Sequence, residues 1–241
     1  MILAIALALT GIAPAVPQGS PVVAPAAPSA IALRIATLLV GDDTVAQTHR
    51  ILSQQLPTAL QAAPDVREME KGWPGMMAEM ITTMEPIILA SLVRRLPAYQ
   101  RDVAAVFDRR LTAAELTTTA TFFESDAGRR MLTLVRGGAD YSAMLKAQVA
   151  AKGDAPITSV AIGEVAAAAV QPAISALSGS EQLVLLSFGM TTAGRKLNAL
   201  NGELLELSAR FNNEADPQTD AALDAAMTAL IEKRLSKGKK R

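Results

Sequence analysis

Two stretches decide how this chain folds. Leu111 to Leu132 reads LTAAELTTTATFFESDAGRRML, and Leu177 to Asn198 reads LSGSEQLVLLSFGMTTAGRKLN. At an offset of 66 residues, Leu111, Glu115, Phe122, Ala127, Gly128 and Arg129 match Leu177, Glu181, Phe188, Ala193, Gly194 and Arg195. Thr112/Ser178, Ser125/Thr191, Arg130/Lys196 and Met131/Leu197 are conservative pairs in the same register. Thr112-x-x-Glu115 and Ser178-x-x-Glu181 have the form of capping boxes, in which hydroxyl and carboxylate satisfy reciprocal amides at a helix start. Ser125 and Thr191 are placed to cap a second helix, with Gly128 and Gly194 in its first turn. A glycine there costs about 1 kcal/mol against alanine, so its recurrence predicts a close backbone approach at a helix–helix corner. Phe122 and Phe188, three residues before the second cap, are the expected core anchors; Phe123 follows the first of them. Each stretch therefore predicts a tight helix pair, and the chain contains that pair twice.

Working outward, the apolar period stays helical. Ile31, Ile35, Leu38 and Leu39 share one face, ended by Gly41, with Asp42 and Asp43 opening the next helix. That helix carries Val45, His49, Leu52, Leu56 and Leu60 toward Pro64, and Pro57 is an expected early stop. Gly72-Trp73-Pro74-Gly75 is turn chemistry. A run from Met76 to Arg95 follows, and Pro86 inside it is expected to kink or break it for want of an amide proton. Leu183 to Leu186 has strand-like composition but follows a helix start directly, so it is assigned to helix. The predicted fold is all-α, a compact helical bundle built from two related helix-pair units. Its expected divisions are a signal peptide and Pro/Ala linker over 1–28, a helical domain over 29–152, a diverged second repeat packed on it over 153–232, and a basic tail over 233–241.

Phe-Phe-Glu-Ser-Asp-Ala-Gly-Arg-Arg at 122–130, preceded by Leu-Thr-Ala-Ala-Glu-Leu at 111–116, resembles the central motif of an exported bacterial helical family, domain of unknown function 2059. The upstream segment Ala32 to Leu60, with Gly41-Asp42-Asp43 between two helices, is similar to that family's N-terminal part. The resemblance covers roughly Ala32 to Gln148. Phe123 stands where the family usually has tyrosine, and Asp126 where it often has proline. The second stretch departs further, with Gly189 in the place of Phe123. The resemblance implies an all-helical exported protein and no enzymatic activity.

Export is also the reading of the first residues themselves. Met1 to Ala15, MILAIALALTGIAPA, is apolar and uncharged, and Ala13-Pro14-Ala15 supplies a small-x-small cleavage pattern, with Ala24-Pro25-Ala26 as a second site. A positively charged n-region is absent. Five prolines between Pro14 and Pro28 preclude regular helix there. The leading run falls short of the roughly 20 apolar residues that cross a bilayer, and no later segment is expected to reach that length. The expected location is the periplasm.

Composition narrows the chemistry. The 241 residues include 23 basic and 23 acidic side chains, one histidine and no cysteine; half are hydrophobic but only 3% aromatic. Alanine accounts for 46 of them, which favours helix and close packing. Without cysteine there are no disulfides, thiolate metal sites or cysteine nucleophiles, and one histidine builds no multi-histidine site. No HExxH, GxSxG, Walker A, GxGxxG or EF-hand pattern occurs. His49 is expected to pack on the apolar side of its helix. Glu68, Glu70, Glu79 and Glu85 are the remaining acids that could meet across helices, but solvated helix faces are the better account of them. No catalytic, cofactor-binding or metal-binding residue is therefore assigned.

Binding is the remaining class. Met76, Met77, Met80 and Met84 form a stripe at helical spacing beside Trp73; such a stripe is more often ordinary core, but it is also a surface type that can hold a partner helix or an apolar small molecule. The C-terminal Lys233 to Arg241 contains six basic residues and no acid. Such a tail supports weak contact with an anionic membrane; without aromatic residues or a groove-reading fold it does not argue for nucleic acid. The sequence thus predicts a non-enzymatic exported module acting on an unknown protein or envelope partner, with carriage of an apolar ligand through a methionine-lined groove as the alternative.

Overall fold

The computed structural model describes residues 27–41, 43–151 and 153–238. The leader at Met1 to Ala15 and most of its linker lie outside these residues. Among the described residues every regular element is helical and there is no strand.

Ser29 caps α1 (Ala30–Leu39) by accepting from the Ala32 amide. Its own amide and hydroxyl donate to Asp108 near the far end of the chain's longest helix. The free carbonyls at the other end of α1 are also taken. Arg136 donates to those of Leu38 and Leu39, and Gln100 donates to that of Val40.

Pro57 does not end the next helix, contrary to the sequence expectation. Between α2 (Asp43–Arg50) and α3 (Leu56–Ala62) the backbone widens into a π turn over Ile51–Gln55, where the Leu56 amide bonds the carbonyl of Ile51. One looser turn absorbs the proline's missing donor. α4 (Pro64–Gly72) then begins on a proline, where no intrahelical amide bond is required. Gly75, at φ +82°, turns the chain into the following helix in a conformation that side chains with a Cβ rarely adopt. Glu70 reaches forward to accept from the amides of Gly75 and Met77, so these backbone bonds hold its carboxyl below the ordinary range.

α5 (Met76–Arg110) runs unbroken for 35 residues through both Pro86 and Pro97. The expected break at Pro86 does not occur, and the reason is which face the prolines occupy. Both prolines are exposed, and so are Thr82 and Val93, the residues four earlier whose carbonyls lose an intrahelical donor, so the interrupted ladder lies on the outer face of the helix. The opposite face buries Ile81, Ile88, Leu92, Leu96, Tyr99, Val103 and Phe107. Continuity through Pro86 also corrects the expectation that nothing beyond the leader is long and apolar enough to cross a membrane. By length and composition alone, α5 is. In this fold it is the spine of the bundle and contributes to both main core clusters.

The first cluster joins Ala32, Ile35, Ala36 and Leu39 of α1 to the second half of α5. It also takes in α6 (Ala113–Glu124), Leu132 of α7 (Asp126–Gly138), and Leu204 and Leu207 of α12 (Asn201–Asn213). The second joins the π turn and α3 to the first half of α5, α8 (Ser142–Ala150) and Ile162 of α9 (Ser159–Ser175). α10 (Gly179–Met190) and α11 (Thr192–Ala199) lie against α6 and α7. Segments before and after residue 153 thus share one core.

α13 (Pro217–Gly238) lies along α5, tied by Arg94–Asp216 at one end and Arg234–Glu79 at the other. Arg234 also donates to the Pro74 carbonyl. The expected free basic tail from Lys233 is corrected to this extent: helix continues to Gly238, and Arg234 is committed to the bundle.

Candidate interaction surface

The two corners are built alike, atom for atom. Thr112 Oγ1 accepts from the Glu115 amide at 3.3 Å while Glu115 Oε2 accepts from the Thr112 amide at 2.8 Å. Ser178 and Glu181 repeat the exchange at 3.3 and 2.7 Å. At the second cap, Ser125 Oγ accepts from the Gly128 amide at 3.1 Å and donates to the Phe122 carbonyl at 2.6 Å. Thr191 does the same with Gly194 and Phe188 at 3.0 and 2.6 Å. A Cβ on Gly128 would fall 2.1 Å from the Phe122 carbonyl oxygen, and one on Gly194 would fall 2.1 Å from that of Phe188. Arg129 and Arg195 close the corners on the carbonyls of Glu124 and Met190.

These two helix pairs meet each other reciprocally. Phe122 and Phe188 stack with centroids 4.1 Å apart and planes 2° from parallel, and Phe123 sits edge-on to both. Lys196 pairs with Glu115 at 2.8 Å, and Arg130 pairs with Glu181 at 3.7 Å. Residue and partner exchange roles across the contact, which is the geometry of a local two-fold. The Lys196 bond and the Thr112 amide hold the Glu115 carboxyl below its ordinary range; the Ser178 amide and hydroxyl do so for Glu181.

The outward faces of the two pairs differ. On α6, Leu116, Thr119 and Ala120 are buried, α1 covers the helix, and Arg34 of α1 pairs with Glu124. On α10 no residue is buried. Leu185 and Phe188 lean on the first cluster, while Leu183, Val184, Leu186 and Met190 stand 64, 43, 60 and 68% exposed. Their counterparts 66 residues earlier are Thr117, Thr118, Ala120 and Glu124. The sequence carried this signal as a polar-to-apolar change at matched positions. Periodicity alone could not say which apolar face of α10 is left open.

The methionine stripe has a different setting. Met76 is fully buried, Met77 and Met84 pack against the second core cluster, and Met80 is half-buried. Trp73 is partly exposed in the turn before them. A shallow groove of about 310 Å³ opens between α5 and α13, lined by Pro86, Ile87, Ala90, Arg94, Gln218, Thr219 and Ala222. None of the stripe residues lines it.

The acidic residues disperse. Glu68 pairs with Lys71, Glu70 caps α5, Glu79 holds Arg234 and Glu85 holds His49. Among the described residues no cluster of three or more metal-ligating side chains occurs. His49 is exposed, not packed as expected. The buried face of α2 is Thr44, Gln47 and Thr48; the Thr48 hydroxyl donates to the Thr44 carbonyl, and the Gln47 amide nitrogen donates to the Arg136 carbonyl and the Tyr141 hydroxyl. The bundle therefore presents capped corners, one uncovered apolar helix, and no convergent set of reactive groups among the described residues. No family model, curated protein or solved structure matches the chain.

Proposed function

We propose that this chain is an exported, periplasmic interaction module without catalytic activity. In this reading its body consists of two related helix pairs, of the kind found in the exported helical family that residues 111–130 resemble. The observation that carries it is the outer face of α10, where Leu183, Leu186 and Met190 replace the polar or covered residues of α6. Exposed apolar residues clustered on one helix mark an interaction site more often than decoration. The recurrence of caps, corner glycines, stacked phenylalanines and ion pairs at one offset supports descent of both pairs from a single unit. The structural employment of Glu68, Glu70, Glu79 and Glu85 supports a protein that works by its surface.

The test is to express the chain with its natural N-terminus, fractionate the cells, and determine the mature N-terminus by mass spectrometry. Recovery from the periplasm, cut after Ala15 or Ala26, is the expected result. An unprocessed cytoplasmic protein would overturn the export reading. Native mass spectrometry of the same material should show no bound lipid; a stoichiometric apolar ligand would favour carriage over surface interaction.

A further inference from the structure

The open face of α10 also points to what covers it, an inference that rests on reading this face as an interaction surface. From Gln182 to Gly194 no side chain is charged. Leu183, Leu186 and Met190 follow one another at spacings of three and four, so they form one stripe, with Ser187 beside them. At the matched position on α6, Ala120 is buried where α1 packs on that helix, and Glu124 is held by Arg34 of α1. One helix of the pair is thus closed by another helix and its counterpart is not.

We propose that a second copy of this chain closes it, with α10 packed antiparallel on α10 about a two-fold axis. Leu183 of one copy then faces Met190 of the other, and the axis falls near Leu186 and Ser187, midway between them. Three features favour self-pairing. An uncharged stripe meets its own image without placing like charges opposite each other, the usual penalty of isologous contacts. Antiparallel helices set opposite dipole ends side by side. The new contact also continues, on the outer side of α10, the reciprocal packing already made on its inner side by Phe188. A membrane surface is less suited to this helix, because interfacial helices carry Lys or Arg along the polar face and the interior of α10 has neither.

A 12-residue helix is about 18 Å long, so this contact buries less than the roughly 800 Å² per partner of a stable complex. The dimer is therefore weak and concentration-dependent.

Sedimentation of the full chain over a concentration series tests this, together with Leu186→Glu, whose site is exposed enough to leave the monomer folded. The chain has no cysteine, so Ser187→Cys reports proximity without background, and Thr121→Cys at the matched exposed position on α6 is its control. The expected results are a dimer that dissociates on dilution, weakened roughly tenfold or more by Leu186→Glu, and an oxidised covalent dimer from Ser187→Cys alone. A chain monomeric throughout and without Ser187→Cys cross-linking overturns the proposal, as does a dimer indifferent to Leu186→Glu. Flotation with vesicles of phosphatidylglycerol and phosphatidylethanolamine separates the two layers of argument. A monomer that binds them, and loses binding in Leu186→Glu, removes the second copy but keeps α10 as the interaction face. A Leu186→Glu chain unchanged in every assay removes both.

Discussion

Replacing Gly128 by alanine pits two effects of opposite sign against each other. Alanine is the better helix former by about 1 kcal/mol and stiffens the unfolded chain, so the substitution should stabilise an unobstructed helix. At Gly128 the added Cβ would lie 2.1 Å from the Phe122 carbonyl oxygen, 2.8 Å from Phe123 Cα and 2.9 Å from the Phe122 carbonyl carbon. All three neighbours are backbone, so no rotamer change relieves the clash. The corner must open by more than an ångström, which pulls Ser125 off the Gly128 amide and Phe122 off Phe188. Overpacking costs about 1–3 kcal/mol and a lost cap about 1 kcal/mol. Set against the propensity gain of about 1 kcal/mol, the net is about 1–3 kcal/mol of destabilisation. For a chain of this length that lowers Tm by roughly 2–12 °C. Gly189→Ala is the control, since nothing lies within 4 Å of its added Cβ in α10, and it should raise Tm by roughly 2 °C. Gly194→Ala should fall between the two. Its clash with the Phe188 carbonyl matches that at Gly128, but the adjoining residue is Gly189, which can shift without moving a side chain. Thermal unfolding followed by circular dichroism, backed by urea titration, reads all three. A Gly128→Ala protein as stable as the parent, or a Gly189→Ala protein destabilised like it, would refute the close-approach argument.

Other sites give sharper electrostatic tests. Burial alone would raise the Asp216 carboxyl, but hydrogen bonds from Ser91, from the Thr219 side chain and amide, and from Arg94 bring it down to about 2. Its stabilising contribution is therefore present above pH 4 and lost as pH falls from about 4 toward 2, an amount near 2 kcal/mol at 1.36 kcal/mol per unit. Urea unfolding at pH 6 and pH 2 should show the gap between parent and Asp216→Asn shrinking by that amount; a pH-independent gap would contradict it. Arg136 is nearly enclosed, and its fork bonds the carbonyls of Leu38 and Leu39 while Asp43 balances its charge. Arg136→Met should cost about 3 kcal/mol through the two stranded carbonyls, and Arg136→Lys should recover only part of it. The reciprocal pairs Lys196–Glu115 and Arg130–Glu181 have half-exposed cations, so a double-mutant cycle on either should find only a weak coupling, most of it removed by high salt.

What the sequence could foretell follows from how local each cause is. The starts of α6, α7, α10 and α11 depend on side chains within three residues of the amides they serve, so Thr112, Ser125, Ser178 and Thr191 were readable without tertiary information. The all-helical class follows from the same local rules. The break that Pro86 could cause is absent because the proline sits on the exposed face, and the fold decides which face that is. Pro57 was misjudged because a π turn leaves no mark in periodicity. His49 and Gln47 differ by two positions on one helix. Their exchange of inside for outside was set by Tyr141 and the Arg136 carbonyl, which lie some ninety residues away in sequence.

The same distinction bears on the candidate site. Local rules assign Leu185, Leu186 and Phe188 to one apolar segment and give no reason to separate them. The contact between the two helix pairs takes Leu185 and Phe188 inward and leaves Leu183, Leu186 and Met190 out. On α6 the equivalent outward positions stay polar or small, because α1 or water already occupies that side. α10 thus carries large apolar residues in water where its counterpart carries threonine, alanine and glutamate. Stability of the monomer does not require them, since α10 buries no residue in it. The cost of exposing such side chains is offset when another surface covers them, and this is the ground on which the proposal of an interaction surface on α10 stands.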